Sequence, residues 1–287
     1  MQLSDDLKAS IGTTVATALA EDVGDGDLTA QLVDADAVVG ATIIARESLT
    51  LAGQPWVDEI FAQLDNKVVI DWYVGDGQTA EADDVICKLV GPARALLTGK
   101  RTSLNFLQTL ASTATITASY VKAVEGTGAR ILDTRKTLPG LRLAQKYAVA
   151  CGGGMNHRIG LFDAILIREN HIKSAGSIAT AMQRASDLDA GVLIEVEVES
   201  RDELLEALNA GATRILLENF ALQDLKQAVE LNRDYGYVAA ELEATGNITL
   251  ESIRKIAGTG VDYISVGALT MNVNAIDFSM LFRIDRL

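Results

Sequence analysis

The segment GGGMNHR, residues 152–158, sets one of only two histidines beside an arginine, directly after three glycines. Its surroundings are as unusual. Between residues 130 and 173 stand Arg130, Arg135, Lys136, Arg142, Lys146, Arg158, Arg168 and Lys173, against only Asp133, Asp163 and Glu169. This stretch is net positive in a chain of formal charge −14, and both histidines, His157 and His171, lie within it. Clustered guanidinium, ammonium and imidazole groups suit carboxylates and phosphates, Arg through planar bidentate pairs and Lys as a point charge. The glycines Gly152–Gly154 fit either a helix end with a flexible connector or a loop whose backbone approaches a ligand.

A second set of chemistry-bearing residues is acidic. In IEVEVES, alternation puts Glu195, Glu197 and Glu199 on one face and Ile194, Val196 and Val198 on the other. Glu218 and Asn219 end another apolar run, and Glu241 and Glu243 precede Thr245, Gly246 and Asn247. The segment SVGALT supplies Gly267 and Ala268. Carboxylates can hold a divalent cation or ribose hydroxyls, and small residues after late strands suit a phosphate. The combination points to a substrate with several anionic groups and a sugar.

The elements that must position these residues follow a regular grammar. Six β-rich runs, ARILDT, DAILIRE, GVLIEVEVE, TRILLEN, YVAAELEA and VDYISVG, begin about 22 to 34 residues apart from residue 129 onward. Amphipathic helical stretches separate them, with Ser200 and Thr249 at expected N-caps and Gly211 and Gly258 after helix ends. Strand–helix alternation of this kind means βα units and a parallel sheet. Chemistry at every strand end favours a barrel, and six visible strands predict an incomplete one of six to seven strands. The cations Asp133 accompanies leave the first strand; Arg168, Asn170 and His171 leave the second.

The first 115 residues read as an α/β sandwich: a helix over 5–22, antiparallel strands in VVGATIIARESLTLAG and KVVIDWYVGDG, and a helix in WVDEIFAQL. A long helical stretch over 99–126 joins the halves, with a break expected near Ala111–Thr113. The expected division is therefore 1–115 for the sandwich and 116–269 for the barrel, with the tail 270–287 packing back on the sandwich.

Bulk composition narrows the classes. A pI near 4.6 lacks the basic face that nucleic acid or an anionic membrane needs. Neither a basic, apolar leader nor an apolar run of about eighteen residues occurs, which predicts a cytoplasmic protein without membrane partners. Cys87 and Cys151 fit no metal-ligand spacing.

At this point the letters themselves become informative. The block DTRKTLPGLRLAQKYAVACGGGMNHRIGLFDAILIRENHI closely resembles the signature of the quinolinate phosphoribosyltransferase family, also called nicotinate-nucleotide pyrophosphorylase (carboxylating). EDVGDGDLT, RTSLNFLQ, IEVEVES, LLENF, ATGN and GVDYISVGALT follow the family in order, so the resemblance covers nearly the whole chain. It implies an N-terminal α/β sandwich and an incomplete α/β barrel. It further implies joining of quinolinate to phosphoribosyl pyrophosphate with Mg²⁺, giving nicotinate mononucleotide, pyrophosphate and carbon dioxide in de novo NAD biosynthesis.

Carried over by motif, Arg135, His157, Arg158 and Arg168 clamp quinolinate, and Arg101 reaches in across the interface of a homodimer or a higher assembly built from it. Lys136, Asn170, His171, Thr245, Gly246, Asn247, Gly267 and Ala268 face the phosphoribosyl group and its phosphates. Lys136, Arg168, Glu197 and Glu218 are the implied catalytic set, with Glu197 and Glu218 at the metal, directly or through water. Arg168 stands where the family usually has lysine and Glu218 where it usually has aspartate. Arginine keeps the charge but cannot serve as a proton-transferring amine. Two other readings stand beside this one: a paralogue such as the molybdenum-transport-associated homologue, with another substrate, and a non-catalytic anion-binding barrel.

Overall fold

The computed structural model describes residues 3–235 and 239–283. The elements begin with α1 (Asp5–Val23), β1 (Val38–Ala45), β2 (Leu49–Thr50), α2 (Gln54–Leu64), β3 (Val69–Trp72), β4 (Thr79–Ala80), β5 (Val85–Pro92) and α3 (Ala93–Ala123). Next come β6 (Arg130–Leu132), α4 (Arg142–Cys151), β7 (Ala164–Ile167), α5 (Glu169–Ala175), α6 (Ile178–Asp187), β8 (Leu193–Val198) and α7 (Arg201–Asn209). The chain continues through β9 (Arg214–Glu218), α8 (Leu222–Asp234), β10 (Glu241–Thr245), α9 (Leu250–Ala257), β11 (Tyr263–Ser265), α10 (Ala268–Met271) and β12 (Phe278–Arg283). These form two compact units: residues 1–118, 137–153 and 269–287, and residues 119–136 and 154–268.

The first unit is built on a four-stranded antiparallel sheet in the order β12-β1-β5-β3. Alternation in β1 buries Ala41, Ile43 and Ala45, and β12 presents Phe278 and Met280 to the same core. Helix α1 starts where the Ser4 hydroxyl accepts the Leu7 N–H, with Asp5 and Asp6 in its first turn. Its stripe of Ile11, Val15 and Leu19 packs with Trp56, Phe106 and Tyr147. Full burial of Trp56 and Phe61 is worth roughly 2–3 kcal/mol each.

Two expectations change here. The long helix does not break near Ala111–Thr113: α3 runs unbroken from Ala93 to Ala123. The threonine there is accommodated within the helix, the Thr117 hydroxyl donating to the Thr113 carbonyl at 2.7 Å. The segment LPGLRLAQKYAVA, read as a barrel helix, belongs instead to the first unit. Its Ala144, Tyr147 and Ala148 are buried there, with the Tyr147 ring 5.5 Å from that of Trp56.

The second unit is a six-stranded parallel sheet in the order β6-β11-β10-β9-β8-β7, an incomplete α/β barrel. Five of the six strands sit within the runs read from the sequence; β10 runs one residue past YVAAELEA, to Thr245, and the start of that run lies partly outside the described residues. Helices follow where caps predict them; the Ser200 hydroxyl accepts the Glu203 N–H at the start of α7. The sheet's two edges are β6 and β7, and a single bridge between Leu132 and Met155 lies beyond the ladder. Among the described residues no helix is long and apolar enough to cross a membrane.

Candidate active site

The strand register decides which side chains share the barrel interior. Glu195 aligns with Arg214 and Arg214 with Glu241; Glu197 aligns with Leu216 and Leu216 with Glu243; Glu218 aligns with Thr245. The interior is therefore layered with charge, where α/β barrels usually carry branched apolar side chains.

At the lowest layer the Arg214 Nη2 lies 2.7 Å from Glu241 Oε2, and its guanidinium stacks 3.9 Å above the Tyr263 ring centre. In the middle layer Glu195 and Glu243 are buried, 1% and 0% exposed. His157 Nε2 stands 2.9 Å from Glu195 Oε2 and 3.7 Å from Glu243 Oε2, which in turn is 3.7 Å from Arg214 Nη1. Burial first, and then the Glu195 charge, hold the Glu243 carboxyl well above the usual carboxylate range.

The upper rim carries the remaining groups. Arg168 Nε is 3.4 Å from Glu197 Oε2. Burial, aided by the charges of Glu218, Glu199 and Glu195, raises the Glu197 carboxyl, and Arg168 opposes the shift. Glu218 Oε1 accepts from Asn219 Nδ2 at 2.8 Å. Arg135, Arg158, Arg168 and His171 line one cavity of about 550 Å³ beside β7. Burial, then the charges of Arg135 and Arg168, lower the Arg158 guanidinium from its usual value. The charges of Glu195 and Asp163 oppose that shift.

The loop that carries His157 and Arg158 is tied down at four successive backbone N–H groups. His157 N–H donates to Asp133 Oδ1 at 2.9 Å, and Arg158 N–H donates to the His157 Nδ1 at 2.7 Å. Ile159 N–H and Gly160 N–H donate to the two oxygens of Asp163 at 2.7 and 2.9 Å. The Arg158 Nη1 reaches the Ala164 carbonyl at 3.3 Å.

The remaining sequence candidates fall as follows. Lys136 is exposed after β6, its N–H donating to Thr134 Oγ1 at 3.1 Å. Asn170 and His171 lie in the first turn of α5, where His171 Nδ1 accepts the Arg168 N–H at 3.0 Å. His171 is thus a helix-capping residue as well as part of the cavity wall. Thr245, Gly246 and Asn247 form the turn after β10; Gly246 has φ +103° and Asn247 φ +46°. A Cβ on Gly246 would overlap Asn219 Oδ1, and Asn219 N–H donates to the Thr245 carbonyl at 3.0 Å. Gly267 lies between β11 and α10, and Ala268 opens α10. Arg101 is exposed on α3, in the first unit.

The triple glycine needs correction. Gly152 does not bring backbone to a ligand: it closes α4, and a Cβ there would overlap the Ala114 carbonyl and Thr117 of α3. Gly153, at φ +83°, makes the left-handed turn that leaves the helix. His157, expected as a direct substrate clamp, has Nε2 2.9 Å from Glu195 and Nδ1 accepting from the Arg158 peptide. Glu195 and Glu243 were among the candidate carboxylates of β8 and β10 but not among the residues the resemblance assigns, and Arg214 was in neither set.

Residues 27–111 match the model for the quinolinate phosphoribosyl transferase N-terminal domain, and residues 113–281 that for its C-terminal domain. A carboxylating nicotinate-nucleotide pyrophosphorylase of Mycobacterium leprae is 40% identical over 93% of this chain and 95% of its own. A decarboxylating quinolinate phosphoribosyltransferase of Nicotiana tabacum is 39% identical over 92% of this chain and 79% of its own. The solved nicotinate-nucleotide pyrophosphorylase of Francisella tularensis superposes with a TM-score of 0.93 at 46% identity, covering 98% of each chain.

Proposed function

The chain belongs to the quinolinate phosphoribosyltransferase family, and from that premise we propose how its residues carry out the family's reaction. The enzyme is a phosphoribosyltransferase of de novo NAD biosynthesis. It joins quinolinate to 5-phosphoribosyl 1-pyrophosphate and releases nicotinate mononucleotide, pyrophosphate and carbon dioxide.

The observation that carries the assignment of roles is the convergence of Arg135, Arg158, Arg168 and His171 on one cavity. A planar dicarboxylate answers it, because each guanidinium can bind a carboxylate through two parallel hydrogen bonds. Arg101 of the partner subunit completes the clamp in a homodimer. His171 and Lys136 add charge for the phosphates.

The ribose then lies over the acidic side of the rim. As pyrophosphate departs, positive charge grows at the ribose carbon that the pyridine nitrogen attacks. Glu197 and Glu218 stabilise that charge more than they stabilise the neutral sugar, which is the condition for rate enhancement. Once the nitrogen is ribosylated, the ring is cationic and stabilises the electron pair left on its adjacent carbon as carbon dioxide leaves, and that carbon then takes a proton from solvent to give nicotinate mononucleotide. The chain's share in this second step is to hold the carboxylate in line and away from water.

Mg²⁺ fits the same rim. Glu197 and Glu218 are hard oxygen donors on neighbouring strand ends, and the raised Glu197 carboxyl marks a place where an added cation is favoured. The ion would neutralise charge on the departing pyrophosphate. The turn Thr245–Asn247, whose glycine admits no side chain, suits the 5′-phosphate, and Gly267 and Ala268 stand at the next strand end.

The test is a mononucleotide-formation assay with quinolinate, phosphoribosyl pyrophosphate and Mg²⁺, run beside nicotinate and nicotinamide. Quinolinate-specific turnover that falls at least about a hundredfold in Arg135→Ala is expected. Turnover of nicotinate in preference to quinolinate would sink the reading.

A further inference from the structure

The loop 157–160 aims Arg158, and three of its four backbone tethers end on carboxylates, which are acceptors in any orientation. The fourth ends on an imidazole nitrogen, which accepts only when its lone pair faces the donor and its proton sits on the other nitrogen. Something must hold His157 in that one tautomer and that one ring orientation. Glu195 Oε2, buried and 2.9 Å from Nε2, is placed to accept the Nε2 proton. Protonation at Nδ1 would set two N–H groups against each other across 2.7 Å.

We infer that Glu195 is a positioning residue of the reaction: through the His157 Nε2–H it fixes the Arg158 peptide, and so the guanidinium that meets a quinolinate carboxylate. Glu195 touches no substrate itself. The arrangement has the logic of an outer group that orients an inner one, where losing the outer partner loosens a site without removing any contact group. Glu243 stands behind it, 3.7 Å from the same Nε2, and is itself turned toward Arg214. The inference rests on the function proposed above, since Arg158 matters only if it binds the acid.

The same three side chains, His157, Glu195 and Glu243, bring ligand atoms within 4.8 Å of one another, a spacing that a metal ion could also use. The two occupations are opposed at one atom. A metal on Nε2 displaces its proton, whereas the positioning role requires that proton.

The experiment pairs kinetics with ¹⁵N spectra of the imidazoles. The chain holds two histidines, so the spectrum has two spin systems, and a His171→Gln variant assigns them. The native protein should show His157 protonated at Nε2 and bare at Nδ1. In Glu195→Leu that signature should give way to a tautomer mixture, with KM for quinolinate up roughly tenfold and KM for phosphoribosyl pyrophosphate within about twofold. Glu195→Gln keeps an acceptor oxygen and should retain both the tautomer and a quinolinate KM within about threefold of native.

An unchanged tautomer and unchanged quinolinate KM in Glu195→Leu would overturn the inference. So would an equal loss in the Gln and Leu variants, which would make the charge itself the agent. A chelator-removable metal bound at a deprotonated Nε2 would overturn it as well. If the native protein turns over no quinolinate, the functional reading fails, while the spectra still decide whether Glu195 sets the imidazole.

Discussion

The residues of the barrel interior form a graded stack, from the Arg214–Glu241 pair below to Arg168 and Glu197 at the rim. One consequence can be read in pH. Because burial raises the Glu243 carboxyl, the folded chain keeps a proton there that the unfolded chain gives up in the ordinary carboxylate range. The folded state binds more protons, so stability falls as pH rises from that range toward neutrality and beyond. Glu243→Gln removes the titrating group. Its melting temperature should therefore decline less than the native protein's between about pH 5 and pH 8. Parallel curves for the two proteins would refute this origin of the pH dependence.

A second prediction at this scale concerns Gly246. Its φ of +103° is a region that L side chains rarely occupy, and Asn219 occupies the space a methyl group would need. Gly246→Ala should cost at least about 2 kcal/mol in denaturant unfolding or displace the turn. With the 5′-phosphate bound there, KM for phosphoribosyl pyrophosphate should rise while KM for quinolinate holds, which steady-state kinetics can separate.

At the scale of elements, the six parallel strands and their helices were legible because period and caps agree: apolar strand runs, Ser200 before α7, Gly258 after α9. What the sequence did not reveal was allegiance. The helix LPGLRLAQKYAVA has the same amphipathic pattern as its neighbours, and pattern alone cannot say which surface its Ala144–Tyr147–Ala148 face will meet. His157 was read as facing a ligand for a related reason: residue type names what a group can bind, while only the register of β8 and β10 shows that a carboxylate of the chain stands within reach. The triple glycine was ambiguous for want of the helix it leans on. Gly152→Ala tests that contact. With the Ala114 carbonyl and Thr117 in the way, thermal unfolding should shift down by several degrees, corresponding to about 1–3 kcal/mol. A neutral effect would mean that α3 and α4 separate freely at this point.

At the scale of the whole molecule, the first unit is discontinuous in sequence, and its sheet takes an edge strand, β12, from far along the chain. The register runs from Gly40 opposite Arg283 to Ala45 opposite Phe278, and the Arg46 side chain donates to Ser279 Oγ at 2.9 Å, 233 residues away. Removing the chain from Asp277 onward should leave β1 unpaired on one side and open the core at Phe278 and Met280. Such a variant should aggregate or bind an apolar dye even though every barrel residue is present. A soluble, cooperatively melting variant would contradict that account.

The pairing of β1 with β12 also sets an order of events during synthesis. The ribosome makes β1 before the barrel strands, yet the strand that covers its open edge is made after them. The nascent sandwich keeps that edge open while the barrel is translated, an interval in which an unpaired strand is open to pairing with another chain.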